Sequence, residues 1–166
     1  MLKWRPLAFG VLRLDVDASS ALNGSYGAGA IILKSDGGLV CARSWPGVKA
    51  VSVQQAELTA VLLGLHLAKF FSLQNLEVFS DAKVEIMKIR KASFSSNEDQ
   101  FILDAIGRFG IDLAVVSFDF IPRSCNVTAH TIARHALSIS SLIFWTESNT
   151  PLWLSHCILV DVCTTV

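Results

Sequence analysis

The first elements of the chain are marked by the alternation of apolar and charged residues. This alternation is strict between residues 12 and 17, and a period of two predicts a β-strand with one apolar face. A second apolar stretch covers 28–33, and a third covers 39–45. The dipeptide Asp36-Gly37 between them is a strong signal for a tight hairpin. The sequence therefore opens with three antiparallel strands.

A long helix is predicted from about residue 53 to residue 71, with apolar residues on most of its circumference. Such a helix must be covered on nearly all sides. Glu57 shares one helical face with Ala60, Gly64 and Ala68. These small side chains allow the face to approach a sheet closely, so Glu57 is predicted at one end of a packed seam.

The rest of the chain alternates between strand and helix patterns and then loses its periodicity. The predicted elements are a strand at 76–81, a helix at 82–91, a polar break at 92–97, a helix at 98–109, a strand at 115–121, a turn at 122–126 and a helix at 127–137. This order predicts an α/β fold with a mixed five-stranded sheet, in which three antiparallel strands precede alternating helices and strands, and helices cover both faces. The predicted organisation is a lead-in at 1–11, a domain at 12–137 and an apolar tail at 138–166 that packs on the domain or trails it.

Composition narrows the class of protein. The 166 residues, 52% of them hydrophobic, are the size of one domain. Equal numbers of basic and acidic residues, 14 of each, give no net attraction to phosphate backbones, which argues against tight nucleic-acid binding by this chain alone. The four cysteines lack metal-ligand spacing, and we expect no signal peptide and no membrane span. We therefore expect an intracellular protein, nuclear or cytoplasmic, without a membrane partner.

Five fragments, in their order and spacing, resemble the ribonuclease H family, and most closely its plant branch of retroelement-derived, reverse-transcriptase-associated domains. Weaker similarity extends to the flanks, at Trp4 with Pro6 and at Trp145, Pro151 and Asp161. The five fragments are Arg13-Leu-Asp-Val-Asp17-Ala-Ser, Gly27-Ala-Gly-Ala-Ile-Ile-Leu, Ala56-Glu57-Leu-Thr-Ala-Val-Leu-Leu-Gly-Leu, Val78-Phe-Ser-Asp81, and Phe120-Ile-Pro-Arg-Ser-Cys-Asn126-Val-Thr-Ala-His130-Thr-Ile-Ala.

The resemblance implies a ribonuclease H-like fold and hydrolysis of the RNA strand of RNA–DNA hybrids. Asp17, Glu57 and Asp81 match the acids that hold two Mg²⁺ ions, or Mn²⁺, in that family. His130 stands where many members carry a fourth catalytic acid. Two metal ions can activate water, stabilise the leaving oxygen and neutralise charge on the phosphate. The implied partners are an RNA–DNA hybrid and a reverse transcriptase or other retroelement protein.

Three further residues are candidates for contact with nucleic acid. Arg123 and Asn126 match the segment before the last helix, and Lys83 belongs to a modest basic cluster in the helix after Asp81. The alternative for this cluster is a solvated helix face. In this fold, hybrid recognition is expected to rest on groove shape and 2′-hydroxyl contacts.

Each candidate also has a structural alternative. Asp17 can be a turn or cap residue at the end of a strand. Asp15 lies on the same strand face as Asp17, so periodicity does not choose between them. Glu57 can favour the dipole of its own helix, Asp81 can cap the following helix, and His130 can face solvent. As a fourth ligand, His130 would favour Mn²⁺ over Mg²⁺. At the level of function, the alternatives are a catalytically weak or inactive nucleic-acid-binding module and a protein-interaction domain.

Overall fold

The structure is a computed structural model that describes residues 7–91 and 97–163. It confirms the predicted α/β fold class, with helices on both faces of a mixed sheet. Trp4, Pro6 and most of the predicted break at 92–97 lie outside the described residues.

The described residues form six strands, five α-helices and two short 3₁₀ turns. The strands are β1 Leu12–Ser20, β2 Tyr26–Leu33, β3 Leu39–Val48, β4 Leu76–Ser80, β5 Ser117–Phe120 and β6 Ile143–Trp145. The helices are α1 Val53–Phe70, α2 Lys83–Lys91, α3 Asn97–Asp112, α4 Val127–Ala136 and α5 Leu152–Cys163. The 3₁₀ turns are Arg123–Cys125 and Glu147–Asn149.

The sheet has the strand order β5-β4-β1-β2-β3-β6. β1, β2 and β3 are antiparallel neighbours, whereas β4 runs parallel to β1 and β5 runs parallel to β4. The prediction of five strands omitted β6, which lies within the segment 138–166 and pairs antiparallel with β3. The segment taken for a tail therefore extends the sheet and then forms α5.

The α1 face of the sheet contains the larger apolar core. A Cβ atom added to Gly64 would lie 2.6 Å from a methyl carbon of Val16, closer than packed carbon atoms approach. The predicted close approach of the small-residue face of α1 is therefore confirmed. This contact fixes the helix that carries Glu57 against the strand that carries Asp17.

The opposite face is covered by α4, which in turn packs against α5. A Cβ atom on Gly29 would lie 2.5 Å from the backbone nitrogen of Ala133, and one on Gly27 would lie 2.7 Å from Cβ of Ala136. Two glycines of β2 thus let α4 rest on the strand backbone. No helix in residues 7–91 or 97–163 has the length and hydrophobicity that a bilayer crossing requires.

The charged face of β1 is buried as well as the apolar face. Arg13, Asp15 and Asp17 are each at most 2% exposed, because β1 lies in the middle of the sheet with helices above and below. The alternation of apolar and charged residues predicts that β1 is a strand, but it does not predict that the charged face of this strand is buried. Buried charges need partners, and the partners of these three residues define the site.

Candidate metal centre

Asp17 and Asp81 meet because their strands are parallel neighbours. Asp15 on β1 pairs with Phe79 on β4, so the same register continued by two residues places Asp17 level with Asp81. Glu57 approaches from the first turns of α1, and its Oε2 accepts a hydrogen bond of 3.1 Å from the backbone N–H of Ala18. Strand β1, the residue that follows β4 and helix α1 therefore bring three carboxylates to one place.

One carboxylate oxygen from each of Asp17, Glu57 and Asp81 lies within 4.8 Å of the other two. Burial raises the pKa of Asp17, and the neighbouring Glu57 and Asp81 raise it further. Burial also raises the pKa of Glu57, with Asp81 as the next largest cause. These shifts have the sign expected when like charges share a site without a cation.

The donor set fits a hard divalent cation. Oδ1 of Asp17 is buried and has no hydrogen-bond partner, which is a costly state for a carboxylate oxygen. Carboxylate oxygens are the ligands that Mg²⁺ or Mn²⁺ prefers, and water and substrate oxygens complete the coordination shell of the ion. The chemistry of these residues therefore fits a divalent metal ion.

His130 lies in the first turns of α4, and its Nδ1 is 2.7 Å from Oδ2 of Asp17. The imidazole therefore faces the acid cluster and not open solvent. No ring nitrogen of His130 belongs to the set of atoms within 4.8 Å of one another. Burial lowers the pKa of His130, and Arg123 lowers it further, so the neutral ring is favoured. The contact engages Oδ2 of Asp17 and leaves Oδ1 without a hydrogen-bond partner.

Asp15 has a different partner from Asp17. Oδ1 of Asp15 accepts a hydrogen bond of 2.8 Å from Nε of Arg13, and both side chains are buried. The guanidinium carbon of Arg13 also lies 4.5 Å from the ring centroid of Phe79. Asp15 is thus neutralised within the core, which leaves Asp17 as the β1 acid at the cluster.

The three predicted nucleic-acid contacts lie in different environments. Arg123 is exposed and forms a 2.9 Å ion pair through Nε with Oδ2 of Asp81. Lys83 is exposed, with its ammonium group 5.8 Å from the ring centroid of Phe120. Asn126 is fully buried, and its Nδ2 donates a 3.0 Å hydrogen bond to the carbonyl of Val16. Asn126 therefore has no exposed surface, and its side chain holds the segment before α4 to β1.

The start of α2 does not use the Asp81 carboxylate as a cap. Oγ of Ser80 accepts from the N–H of Ala82 instead, at 3.1 Å. The carboxylate of Asp81 is directed to Arg123 and the cluster. In this structure Asp81 therefore does not act as the cap of α2.

Glu85 is also part of this region, although no pattern in the sequence distinguishes it. Glu85 is 5% exposed on α2, and its Oε1 is enclosed without a hydrogen-bond partner. After burial and Asp81, the charge of Glu85 is a further cause of the raised pKa of Glu57. A glutamate in the first turn of a helix is ordinary in sequence, so only the packing of α2 against α1 distinguishes it.

We expect Glu85→Gln to raise Tm of the metal-free protein by about 2–4 °C, corresponding to about 1 kcal/mol, because it removes a buried negative charge that raises the pKa of Glu57. Thermal unfolding in chelator measures this change. Glu98→Gln is the matched control, since Glu98 also lies in the first turn of its helix but is exposed. A decrease in Tm for Glu85→Gln would mean that its carboxylate has a stabilising partner.

The fold and the acidic cluster together define a ribonuclease H-like domain. The family model of the reverse transcriptase-like family matches residues 15–136. The chain therefore belongs to the reverse transcriptase-like family.

Solved structures agree with this assignment at the level of the fold. RNase H1 from the halophilic archaeon Halobacterium salinarum is 21% identical at a TM-score of 0.70, covering 76% of this chain and 97% of that one. LC11-RNase H1, solved in complex with an RNA/DNA hybrid, is 17% identical at a TM-score of 0.69, covering 76% and 96%.

A viral protein shares the fold over part of its length. The protease-reverse transcriptase of prototype foamy virus is 12% identical at a TM-score of 0.60, over 79% of this chain and 21% of that one. A comparison with curated protein sequences found no match.

Proposed function

We propose that this protein is a metal-dependent endonuclease that hydrolyses the RNA strand of RNA–DNA hybrids. The observation that carries the proposal is the convergence of Asp17, Glu57 and Asp81, which bring one carboxylate oxygen each to within 4.8 Å of one another. Membership of the reverse transcriptase-like family and the similarity in fold to an RNase H1 solved with a hybrid supply the substrate class.

Asp17, Glu57 and Asp81 would hold two Mg²⁺ or Mn²⁺ ions. When bound, such ions activate water and stabilise the charge that develops on the phosphate and on the leaving oxygen. Glu57 is restrained by the Ala18 N–H, Asp17 by His130 and Asp81 by Arg123, so each of the three ligands has a partner before metal arrives. Restrained ligands reduce the reorganisation that substrate binding would otherwise require.

The positive charge beside the cluster is small. Arg123 is already paired with Asp81, and in the basic helix α2 Lys88 pairs with Asp99 and Arg90 with Asp119. Arg123 and Lys83 are the exposed cations that we propose for phosphate contact. With a net charge of zero, we propose weak, salt-sensitive hybrid binding, and a partner such as a reverse transcriptase or another retroelement protein to supply further affinity. An intracellular location, nuclear or cytoplasmic, is part of the same proposal.

A labelled RNA–DNA hybrid, incubated with and without Mg²⁺ at low salt and run beside a gel shift, tests this function. Cleavage of the RNA strand supports the endonuclease. A shift without cleavage would instead support a catalytically inactive binding module, which the presence of His130 in place of an acid favours as the second candidate. If the assay shows neither cleavage nor a shift, the remaining candidate is a protein-interaction domain. Duplex DNA and duplex RNA serve as substrate controls.

We expect His130→Ala to lower the cleavage rate by about tenfold in both Mg²⁺ and Mn²⁺, because residues that orient a metal ligand typically contribute 10–100-fold. The contact with Asp17 supports this orienting role over direct coordination. His156→Ala, an exposed histidine on α5, is the control. A rate that falls in Mn²⁺ alone, or rises in Mg²⁺ for His130→Asp, would show that His130 acts as a fourth ligand.

A further inference from the structure

The first turn of α4 has no cap from its own sequence. The residue before the helix, Asn126, makes no side-chain hydrogen bond to the helix start. Its Nδ2 is committed to the carbonyl of Val16 on β1, and the first turn contains no acidic residue. The first N–H groups of a helix have no partner within the helix, so α4 needs an acceptor from elsewhere in the fold.

Asp161 on α5 supplies that acceptor. Its carboxylate accepts hydrogen bonds from the backbone N–H of Val127 at 3.0 Å and from that of Thr128 at 2.8 Å. Asp161 is 2% exposed, so solvent does not replace it. The cap therefore comes from a residue 33 positions later in the chain and beyond the family match at 15–136.

The position of Asp161 within its own helix indicates that the contact is specific. Asp161 lies in the last turn of α5, where a negative charge opposes the helix dipole. The same charge at the start of α4 is favourable, since it faces unpaired N–H groups and the positive end of that dipole. The local preference at the end of α5 is against an acidic residue, and the long-range contact with α4 explains why Asp161 is found there.

The capped turn leads directly to the metal centre. His130 is two residues after Thr128, and its Nδ1 contacts Asp17 at 2.7 Å. The packing of α4 on β2 depends on Gly29, which has no side chain and leaves room for the Ala133 backbone. Packing on β2 and the cap by Asp161 thus restrain α4 at two points, and His130 lies between them.

We propose that Asp161 is a positioning residue of the metal centre, which holds the first turn of α4 so that His130 remains in contact with Asp17. The consequence for catalysis rests on the proposed function, whereas the effect on His130 does not. Asp161 then contributes to the metal centre, although it lies outside the segment that matches the family.

The direct test is NMR of the intact protein labelled with ¹⁵N-histidine, without metal and without substrate. The ring signals of His130 are assigned from their loss in His130→Ala. We expect Asp161→Ala to shift them towards the values of a solvent-exposed imidazole and Asp161→Asn, which keeps one acceptor oxygen, to shift them less. His66, on α1, is the internal reference and stays unchanged.

Leu154→Ala is the matched control, because Leu154 is a fully buried residue of the same helix that packs in the α4 face core without capping α4. It lowers stability and leaves the His130 signals in place. If Asp161→Ala does not fold, Asp161→Asn carries the comparison. Unchanged His130 signals in a folded Asp161 variant, or an equal shift in Leu154→Ala, would overturn the proposal.

Kinetics on the hybrid give the second readout. We expect Asp161→Ala to reduce kcat by about tenfold with little change in KM, since a small displacement of a positioned group costs rate without removing a binding contact. Leu154→Ala, assayed well below its Tm, retains the wild-type kcat. If the wild-type protein cleaves nothing, the proposed function fails while the NMR comparison still decides the role of Asp161.

Discussion

Asp17→Asn, Glu57→Gln and Asp81→Asn are each expected to reduce metal-dependent cleavage by more than about a hundredfold. Loss of a residue that only orients a metal ligand costs 10–100-fold, and each of these variants removes a ligand charge itself. The amides keep the shape of the side chains, so the fold is retained. Single-turnover cleavage and circular dichroism of the same preparations measure both effects.

Two other acids serve as comparisons for these variants. Asp104→Asn, on the exposed surface of α3, retains the wild-type rate. Asp15→Asn leaves the buried guanidinium of Arg13 without its ionised partner and lowers stability, as the loss of one member of a buried ion pair does. Full activity of Asp17→Asn together with an inactive but folded Asp15→Asn would show that Asp15, and not Asp17, serves the metal.

The metal-free protein is expected to lose stability as the pH rises from 7 to 9, and Mg²⁺ is expected to restore it. The pKa values of Asp17 and Glu57 are raised in the folded protein, whereas carboxyl groups of the unfolded chain ionise near pH 4. Between pH 4 and the raised pKa values of the folded protein, unfolding releases protons from these two carboxyl groups, so stability falls as pH increases. Each unit of pKa difference that titrates in this range corresponds to about 1.4 kcal/mol, or about 3–5 °C in Tm.

The range above pH 7 isolates the carboxylates from His130. The pKa of His130 is lowered in the fold, so this ring alone would increase stability as the pH rises towards its ordinary value near 6.5. Above that value it is neutral in both states. Metal competes with the protons of the cluster, so Mg²⁺ should raise Tm more at pH 9 than at pH 7.

Thermal unfolding of wild type and Asp17→Asn, in chelator and in Mg²⁺, checks this linkage. The variant has one carboxylate fewer, so its Tm in chelator should depend less on pH and respond less to Mg²⁺. A wild-type Tm that is independent of pH in this range, and unaffected by Mg²⁺, would mean that the three carboxylates neither repel one another nor bind the ion.

The sequence was informative where local patterns and packing agree. Alternation identified β1, and the small residues on the Glu57 face of α1 indicated the close contact that Gly64 makes with Val16. The choice of Asp17 over Asp15 came from the family resemblance. Only the three-dimensional partners, Arg13 for Asp15 and His130 for Asp17, explain physically why the two acids differ.

The segment after residue 137 was not predicted as structure because its signals are weak. β6 is three residues long, and α5 is apolar on most of its surface, so neither gives a one-sided pattern. The role of Asp161 depends on a contact 33 residues away, which no local pattern predicts. Asn126 and Glu85 are similar cases, since polar residues in a turn or a first helical turn are expected at the surface, whereas the fold buries both.

The central proposal is tested most directly by single-turnover cleavage of a 3′-labelled RNA strand annealed to DNA, with wild type and Asp81→Asn compared in Mg²⁺ and in chelator. We predict internal cuts in the RNA with wild type in Mg²⁺, products that carry a 5′ phosphate on the downstream fragment, and no cuts in the other three conditions. Cleavage by wild type in chelator, or by Asp81→Asn at the wild-type rate, would contradict a nuclease that works through this metal centre, and an intact RNA strand in every condition would contradict the nuclease itself.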